Sequence, residues 1–486
     1  MSDLLESRLR RQVFLRVPCA AIRRSPHRLD ASSYCGKGGS TRRLIAHGAL
    51  PPCRLGDLAS VTQPTVFGKR VMIGSREEGI PLYASGELLN YTPETDTYLA
   101  RRHADSVRDL LAEPGILLFT RSGSVGRVLL TPPFLAGAAI QDDVLKVVPE
   151  TRKLAYYLYI YFLSPIGQPL LSDTAFGSVI QHIKVDHIRE LPVLRLGAVM
   201  EEAIANRVEK AIAARLEAHQ MLKEVDYACL SYNRLPNISE NTIEWLAGDE
   251  RRAAFSVPTR DIISPHSEST ELRLEAHFHN PIVRCVIANI QKCPSKKRTL
   301  ALLAHDVILG GRFKRNYVGP AFGTPFLSGK NIVQVRPADL KYLSNTQNEG
   351  LDDLLVKKDW ILVTRSGTIG RTCYVWHNFE NYAASEHILR IIPRETETDP
   401  AYLYAFLSSR YGYEQIIRFR HGSVIDEITD EQLKKVIVPL PEPRRQKEIG
   451  EKVRLAYEKR AEALRLEDEA QEMLIREIEG KAAKEA

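Results

Sequence analysis

The chain has 486 residues, enough for two to four domains with hydrophobic cores of their own, and its 44% hydrophobic and 26% charged residues exclude disorder as the main state. No stretch approaches the roughly 18 uncharged apolar residues that a membrane span needs, so an integral membrane protein is not expected. A formal charge of +7 is too mild to name a nucleic-acid partner, but it is unevenly placed: residues 1–54 hold 11 Lys+Arg against 3 Asp+Glu, a local +8, and the remainder sums to −1.

The Arg-rich leader 1–27 has no apolar h-region, which argues against secretion. Its acid-poor composition also fits a transit peptide, but residues 14–35 have a counterpart later in the chain. The seven cysteines (Cys19, Cys35, Cys53, Cys229, Cys285, Cys293, Cys373) are odd in number, scattered and without a C-x-x-C pair. Neither a disulfide scaffold nor a zinc ribbon is expected, and a reducing cytoplasm is the default compartment.

From there the chain is written twice. Arg28-Leu29-Asp30-Ala31 returns as Arg273-Leu274-Glu275-Ala276, shifted by 245. Thr120-Arg121-Ser122-Gly123-Ser124-Val125-Gly126-Arg127 returns as Thr364-Arg365-Ser366-Gly367-Thr368-Ile369-Gly370-Arg371, shifted by 244 with six of eight positions identical. Gly177-Ser178-Val179-Ile180 returns as Gly422-Ser423-Val424-Ile425, again shifted by 245. The duplication covers about 14–230 and 255–475.

Within each copy, Leu117-Leu118-Phe119 and Ile361-Leu362-Val363, then Val144–Val148 and Ile388–Ile392, are short apolar runs bounded by Gly and Pro and read as strands. The Tyr-rich stretches Leu154–Leu163 and Ala401–Leu407 read as short helices packed on them. Each copy closes with an extended breaker, Leu191-Pro192-Val193-Leu194 or Val438-Pro439-Leu440-Pro441.

A long helix follows each breaker. Ala198–Leu230 contains no Pro or Gly, and Ile204, Val208, Ala211, Arg215, Ala218, Leu222 and Val225 step alternately by four and three, the spacing of a coiled-coil seam. The second copy offers Ile449, Val453, Ala456, Arg460, Ala463, Ala470 and Leu474, with Glu467 at one position. Alanine-rich seams bury little area each, so neither helix is expected to stand alone and the two are expected to pair. The boundaries are therefore a globular domain over 1–196, a helix over 197–231, a polar connector over 232–254, a second domain over 255–441 and a second helix over 442–486. The fold class is α/β (α+β) with an internal pseudo-twofold repeat.

Catalytic signatures are missing from the sequence. There is no F-x-G-x-G cofactor loop, no G-x-x-x-x-G-K-[S/T] phosphate loop and no H-E-x-x-H or Cys/His ligand cluster. Asp399-Pro400-Ala401-Tyr402 departs from the amino-methyltransferase loop at its third place and precedes a predicted helix. His182 has Glu427 at its counterpart, so a satisfied structural histidine is expected there. The R-S-G-x-[V/I]-G-R segments admit two readings: a tight strand-to-strand turn, or a phosphate grip in which glycine N–H groups and flanking arginines face a nucleic-acid backbone.

Basic patches add to the second reading. Lys296-Lys297-Arg298 with Arg312, Lys314 and Arg315, against Asp306, give a local +5 over 296–315, with Phe313 and Tyr317 in or beside it. The first copy has Lys69, Arg70 and Arg76 near Phe67. Nucleic-acid binding wants cations for phosphates and planar groups for bases; solvated surface charge is the plainer alternative. The two copies diverge most over 56–113 and 301–357, which points to different targets for the two domains.

Two tandem α/β domains, each trailing a long helix, with R-L-[D/E]-A, T-R-S-G-x-[V/I]-G-R, G-S-V-I and a V-P-L-P entry to the helix around Arg445-Gln446-Lys447-Glu448-Ile449, closely resemble the specificity (S) subunit of type I restriction-modification enzymes. The resemblance covers nearly the whole chain. It implies two target recognition domains, each reading half of a bipartite double-stranded DNA site, and two helices forming an antiparallel coiled coil. It implies two methyltransferase (M) subunits and restriction (R) subunits as partners, with S-adenosylmethionine, ATP and Mg on those partners, and a non-catalytic role for this chain in phage defence. The candidate DNA contacts are Lys69, Arg70, Arg76, Arg121, Ser122, Arg127, Arg312, Lys314, Arg315, Arg365, Ser366 and Arg371; the candidate helix-pairing residues are Ile204, Val208, Leu222, Ile449, Val453 and Leu474. The 33 residues 198–230 make a helix of about 50 Å, comparable with one to one and a half turns of B-DNA, so a split site with an unread spacer is expected. A stand-alone nucleic-acid-binding or regulatory protein built from the same modules is the alternative.

Overall fold

The computed structural model describes residues 36–484 except 47, 49, 65–70, 74–78, 102–107, 176–181, 239–254, 259–261 and 263–272. The leader 1–27, the first R-L-D-A and G-S-V-I segments and most of the connector lie outside the described residues. The chain divides into two compact units, 1–214 with 462–486 and 215–461, so the division cuts through both long helices rather than at their ends.

The first unit runs α1 (Lys37–Ala46), β1 (Pro52–Arg54), β2 (Ala59–Thr62), β3 (Met72–Ile73), β4 (Gly79–Tyr83), β5 (Tyr98–Ala100), β6 (Leu117–Thr120), β7 (Val128–Leu130), β8 (Ala139–Ile140) and β9 (Val144–Pro149). Then come α2 (Arg152–Leu163), α3 (Gly167–Ser172), α4 (Val185–Arg189), β10 (Pro192–Leu194) and the start of α5 (Ala198–Tyr232). Its main antiparallel sheet has the order β2-β9-β6-β7, beside a smaller sheet β3-β5-β4-β8 and the pair β1-β10.

The second unit repeats this plan: α6 (Pro281–Lys292), β11 (Lys296–Thr299), β12 (Ala304–Leu309), β13 (Gly323–Leu327), β14 (Lys341–Ser344), β15 (Ile361–Thr364), β16 (Thr372–Tyr374), β17 (Ala383–Ala384) and β18 (Ile388–Pro393). After these follow α7 (Pro400–Ser408), α8 (Arg410–Ile417), α9 (Asp430–Lys434), β19 (Ile437–Leu440) and α10 (Pro443–Lys484), whose last turns belong to the first unit. Its sheets are β12-β18-β15-β16, β14-β13-β17 and the pair β11-β19. The register repeats with the sequence: Leu117↔Val147 and Thr120↔Val144 in the first unit become Ile361↔Ile391 and Thr364↔Ile388 in the second.

The central strands are apolar without alternation because both faces are covered. Leu117 and Phe119 enter the large core under α2, while Leu118 joins a second core with Ile140 and Val144. Ile361 and Val363 likewise face the large core of their unit, and Leu362 the smaller one. Buried tyrosines lock the Tyr-rich helices to the closing strands: the Tyr157 hydroxyl donates to Leu194 O and that of Tyr402 to Pro439 O. Burial pushes both hydroxyls well above the ordinary tyrosine value, so they stay protonated donors.

Asp399 is explained by the same helices. Its carboxylate caps α7, accepting from Ala401 N at 2.8 Å and Tyr402 N at 3.1 Å, and pairs with Arg454 at 2.9 Å. Pro400 stands at the first helical position, where a missing N–H is harmless. A Cβ at Gly450 would lie 2.3 Å from Asp399 Oδ1, which accounts for a glycine inside α10.

Each unit also contains a side-by-side stretch of the two long helices. In the first, Ile204, Ala205 and Val208 share a core with Ala470, Leu474 and Ile478, Ala211 and Ala214 meet Ala463 and Leu466, and Arg207 lies 3.7 Å from Glu469. Glu467 is fully buried in this stretch and accepts from the Tyr159 hydroxyl at 3.0 Å. In the second, Val225 and Cys229 pack with Ile449, Val453 and Tyr457, and Lys459–Glu217 and Lys452–Glu224 pair at 3.1 and 2.6 Å. Rising numbers on α5 meet falling numbers on α10, so the helices run antiparallel within each unit. Leu222 departs from the other apolar seam residues in being half-buried, as the seam arginines Arg215 and Arg460 also are. Among the described residues, no helix is long and apolar enough to cross a membrane.

Candidate nucleic-acid interface

The duplicated T-R-S-G-x-[V/I]-G-R segments are strand-to-strand turns, β6 to β7 and β15 to β16. Gly123, Gly126, Gly367 and Gly370 have φ of +73°, +76°, +72° and +83°, a region in which a Cβ is strained. The threonine organises each turn. Thr120 Oγ1 donates to Ser124 O and accepts from Arg127 N at 2.8 Å; Thr364 Oγ1 donates to Thr368 O and accepts from Arg371 N at 2.9 Å.

The first arginine of each turn points along the fold. Arg121 Nε donates to Ile183 O at 3.1 Å, and Arg365 Nε donates to Ile428 O at 2.8 Å. The Arg365 guanidinium also pairs with Glu427 at 2.6 Å, leaving its side chain 13% exposed. Both arginines thus pin a returning segment to the turn, a role that nothing in the local motif announces, since the partners lie 62 or 63 residues away. The second arginine differs: Arg127 and Arg371 are half-buried, and Arg371 lies over the Tyr413 ring at 5.2 Å. Ser122 and Ser366 are half-buried, and the Ser366 hydroxyl bonds His387 Nδ1 at 2.6 Å.

Of the basic run in the second unit, Arg312 and Lys314 are exposed. Arg315 instead donates from Nη2 to both oxygens of the buried Glu386 carboxylate and lies 5.3 Å over the Phe326 ring. Burial alone would raise the Glu386 carboxyl, but its own backbone N–H and the Arg315 guanidinium hold it below the usual carboxylate value. Beside them, Tyr317 is 43% exposed with the Lys341 ammonium 4.9 Å over its ring, and Phe322 is 65% exposed. Lys296, Lys297 and Arg298 belong to a separate two-stranded pairing with β19. Lys69, Arg70 and Arg76 lie outside the described residues.

The two units share a further feature, a cation buried in a central strand. Lys146 and Arg390 occupy the same register position of β9 and β18, 8% and 2% exposed, and each donates to a backbone carbonyl, Leu111 O and Asp353 O. Desolvation lowers the pKa of both. The signal was a lone cation inside an apolar strand at one position of both copies. His182 is half-buried, and its Nδ1 has no hydrogen-bond partner among the described residues. Among the described residues no three His, Cys, Asp or Glu side chains gather as a metal site.

Residues 314–458, from the basic loop into α10, match the family model described as the type I restriction modification DNA specificity domain. Among solved structures, the chain is similar to the S subunit of a type I restriction-modification system from M. genitalium, at 13% identity over 89% of this chain and 96% of that one, with a TM-score of 0.34. It is also similar to the HsdS subunit from Thermoanaerobacter tengcongensis, at 14% identity over 89% and 97% of the two chains and a TM-score of 0.28. No curated protein matches it. Residues 314–458 are thus similar to the type I restriction modification DNA specificity domain.

Proposed function

We propose that this chain is the non-catalytic, sequence-reading subunit of a cytoplasmic type I restriction-modification complex. It reads a bipartite double-stranded DNA site, one half by each repeat, and directs adenine methylation and restriction by partner subunits. The observation that supports the reading is the specificity-domain match at 314–458, together with a first unit whose main sheet has the same strand order and register. In this reading Arg312, Lys314, Arg127 and Arg371, with Lys69, Arg70 and Arg76 of the first copy, neutralise phosphates. Side chains of the divergent segments 56–113 and 301–357 read base edges. Arg315 ties the second of those segments to Glu386, while Arg121 and Arg365 pin the returning segments at Ile183 and Ile428.

The antiparallel stretches of α5 and α10 are then two parts of one coiled coil, giving the molecule its pseudo-twofold repeat and fixing the spacer. Two M subunits and the R subunits supply S-adenosylmethionine, ATP and Mg chemistry. The M subunit also supplies the pocket for a flipped adenine, since the target atom is out of reach in the stack. Purification of the chain from its native host tests this: an M-type methyltransferase is expected to come down with it, and the pair to methylate DNA that neither methylates alone. A chain that binds DNA but brings down no methyltransferase is the stand-alone protein instead.

A further inference from the structure

Residues 421–427 form a small closed loop. Its ends are clamped by His421 N to Glu427 O at 3.0 Å and Glu427 N to His421 O at 2.7 Å. Gly422 has φ +137°, and a Cβ there would lie 2.2 Å from Ile425 O, so the shape requires glycine. The base hangs on the duplicated turn through Arg365 Nε to Ile428 O, Arg365 to Glu427, and Gly367 N to Asp426 O at 3.3 Å. This clamped loop ends in two β-branched side chains held in water: Val424 is 93% exposed and Ile425 60%.

Single exposed hydrophobes are ordinary surface, but two at the tip of a clamped loop, spelled identically in both repeats, are not. The same Gly177-Ser178-Val179-Ile180 stands in the first copy, outside the described residues, while the reading segments have diverged. A motif kept where targets differ fits a feature common to both half-sites, and the common feature is the duplex itself. Two side chains are far too little for a protein interface of about 800 Å² per partner, yet they suffice to enter a base step from the minor groove. Exposed Arg420 immediately precedes the base of the loop, and Arg418 lies over the Phe278 ring at 4.1 Å. Burial, with Arg273 adding to it, pulls Arg418 down to about 10, so it remains a cation at neutral pH. Asp426 is the exposed carboxylate of the loop.

Resting on the function proposed above, we infer that Val424 and Ile425 form an apolar wedge that enters the minor groove of the half-site read by the second unit and unstacks one base step whatever its sequence. The test uses the full chain with its methyltransferase and a target duplex carrying 2-aminopurine at successive positions. The wild-type complex is expected to raise the fluorescence at one step. The double variant Val424→Ser, Ile425→Ser is expected to lose that rise, to bind target and non-target DNA about 10-fold more weakly, and to methylate the same motif with an unchanged melting temperature. Val424→Leu with Ile425→Leu restores the signal.

Unchanged fluorescence and affinity in the serine variant overturn the wedge. So does unchanged DNA affinity with loss of the methyltransferase on purification, which would make the tip a protein-docking element. A wild-type complex that binds no duplex at all fails the underlying function instead.

Discussion

Substituting Arg365 by alanine separates an architectural arginine from a phosphate contact. In the folded unit its Nε donates to Ile428 O at 2.8 Å and its guanidinium meets Glu427 at 2.6 Å, with side-chain exposures of 13% and 27%. A hydrogen bond from a charged donor contributes about 1.5–3 kcal/mol, and a half-shielded pair adds less than a buried one. The loss is therefore about 3 kcal/mol. For a unit of this size that is a fall of roughly 6–12 °C in melting temperature. Arg121→Ala, which gives up Nε to Ile183 O at 3.1 Å and has neutral-capable His182 at the counterpart of Glu427, is expected to cost about half as much. Thermal melts measure the stability term, and DNA titrations over a salt series measure the phosphate term. The slope of log K against log salt is expected to stay at its wild-type value in Arg365→Ala and to fall by about one in Arg312→Ala. An Arg365→Ala protein that melts within about 1 °C of wild type while its salt slope drops by about one would refute the pin and restore the phosphate grip.

Other expectations concern the helices and the buried cations. Burial, with Lys223 and Arg460 adding to it, pulls His219 down to about 4, below its ordinary 6.5, so the folded chain refuses a proton that the unfolded chain accepts. Stability is then full above about pH 6.5 and declines as pH falls toward 4, at a slope that partial exposure keeps under ~1.4 kcal/mol per pH unit. His219→Gln should flatten the melting temperature over that window, and an unaltered slope would sink the assignment. Gly450→Ala, normally worth about 1 kcal/mol of stabilisation in a helix, should destabilise instead, because its Cβ would collide with Asp399 at 2.3 Å; a stabilised variant in chemical denaturation contradicts this. Arg390→Met should leave the melting temperature unchanged or raised, while Arg390→Ala lowers stability by about 3 kcal/mol through the cavity it leaves. Deleting seven residues from each long helix removes about 10 Å and should shorten the unread spacer by about 3 bp, as read by sequencing of modified bases.

Much of the fold was legible because its determinants are local or repeated. The apolar runs at 117–119 and 361–363 became β6 and β15, and the Tyr-rich stretches became α2 and α7. Paired glycines between an apolar run and a second strand left a tight turn and a phosphate grip both open, and the segments form turns. The site was less legible because the decisive partners are distant in sequence. Arg365 reads as a cation beside a glycine turn until Glu427 is brought to it, and Arg315 as part of a basic run until Glu386 is. Leu222 shows the limit of a heptad pattern: the step of seven marks it as seam, yet it is only half-buried. Asp399 resembles part of a catalytic loop in spelling and is a helix cap in fact.

Sequencing of modified bases in a host carrying this chain and its methyltransferase bears most directly on the central claim. The expected result is one methylated motif made of two specified half-sites around an unread spacer, with changes in 301–357 altering one half and leaving the other untouched. A contiguous motif, or a motif indifferent to substitutions in both reading segments, would contradict it.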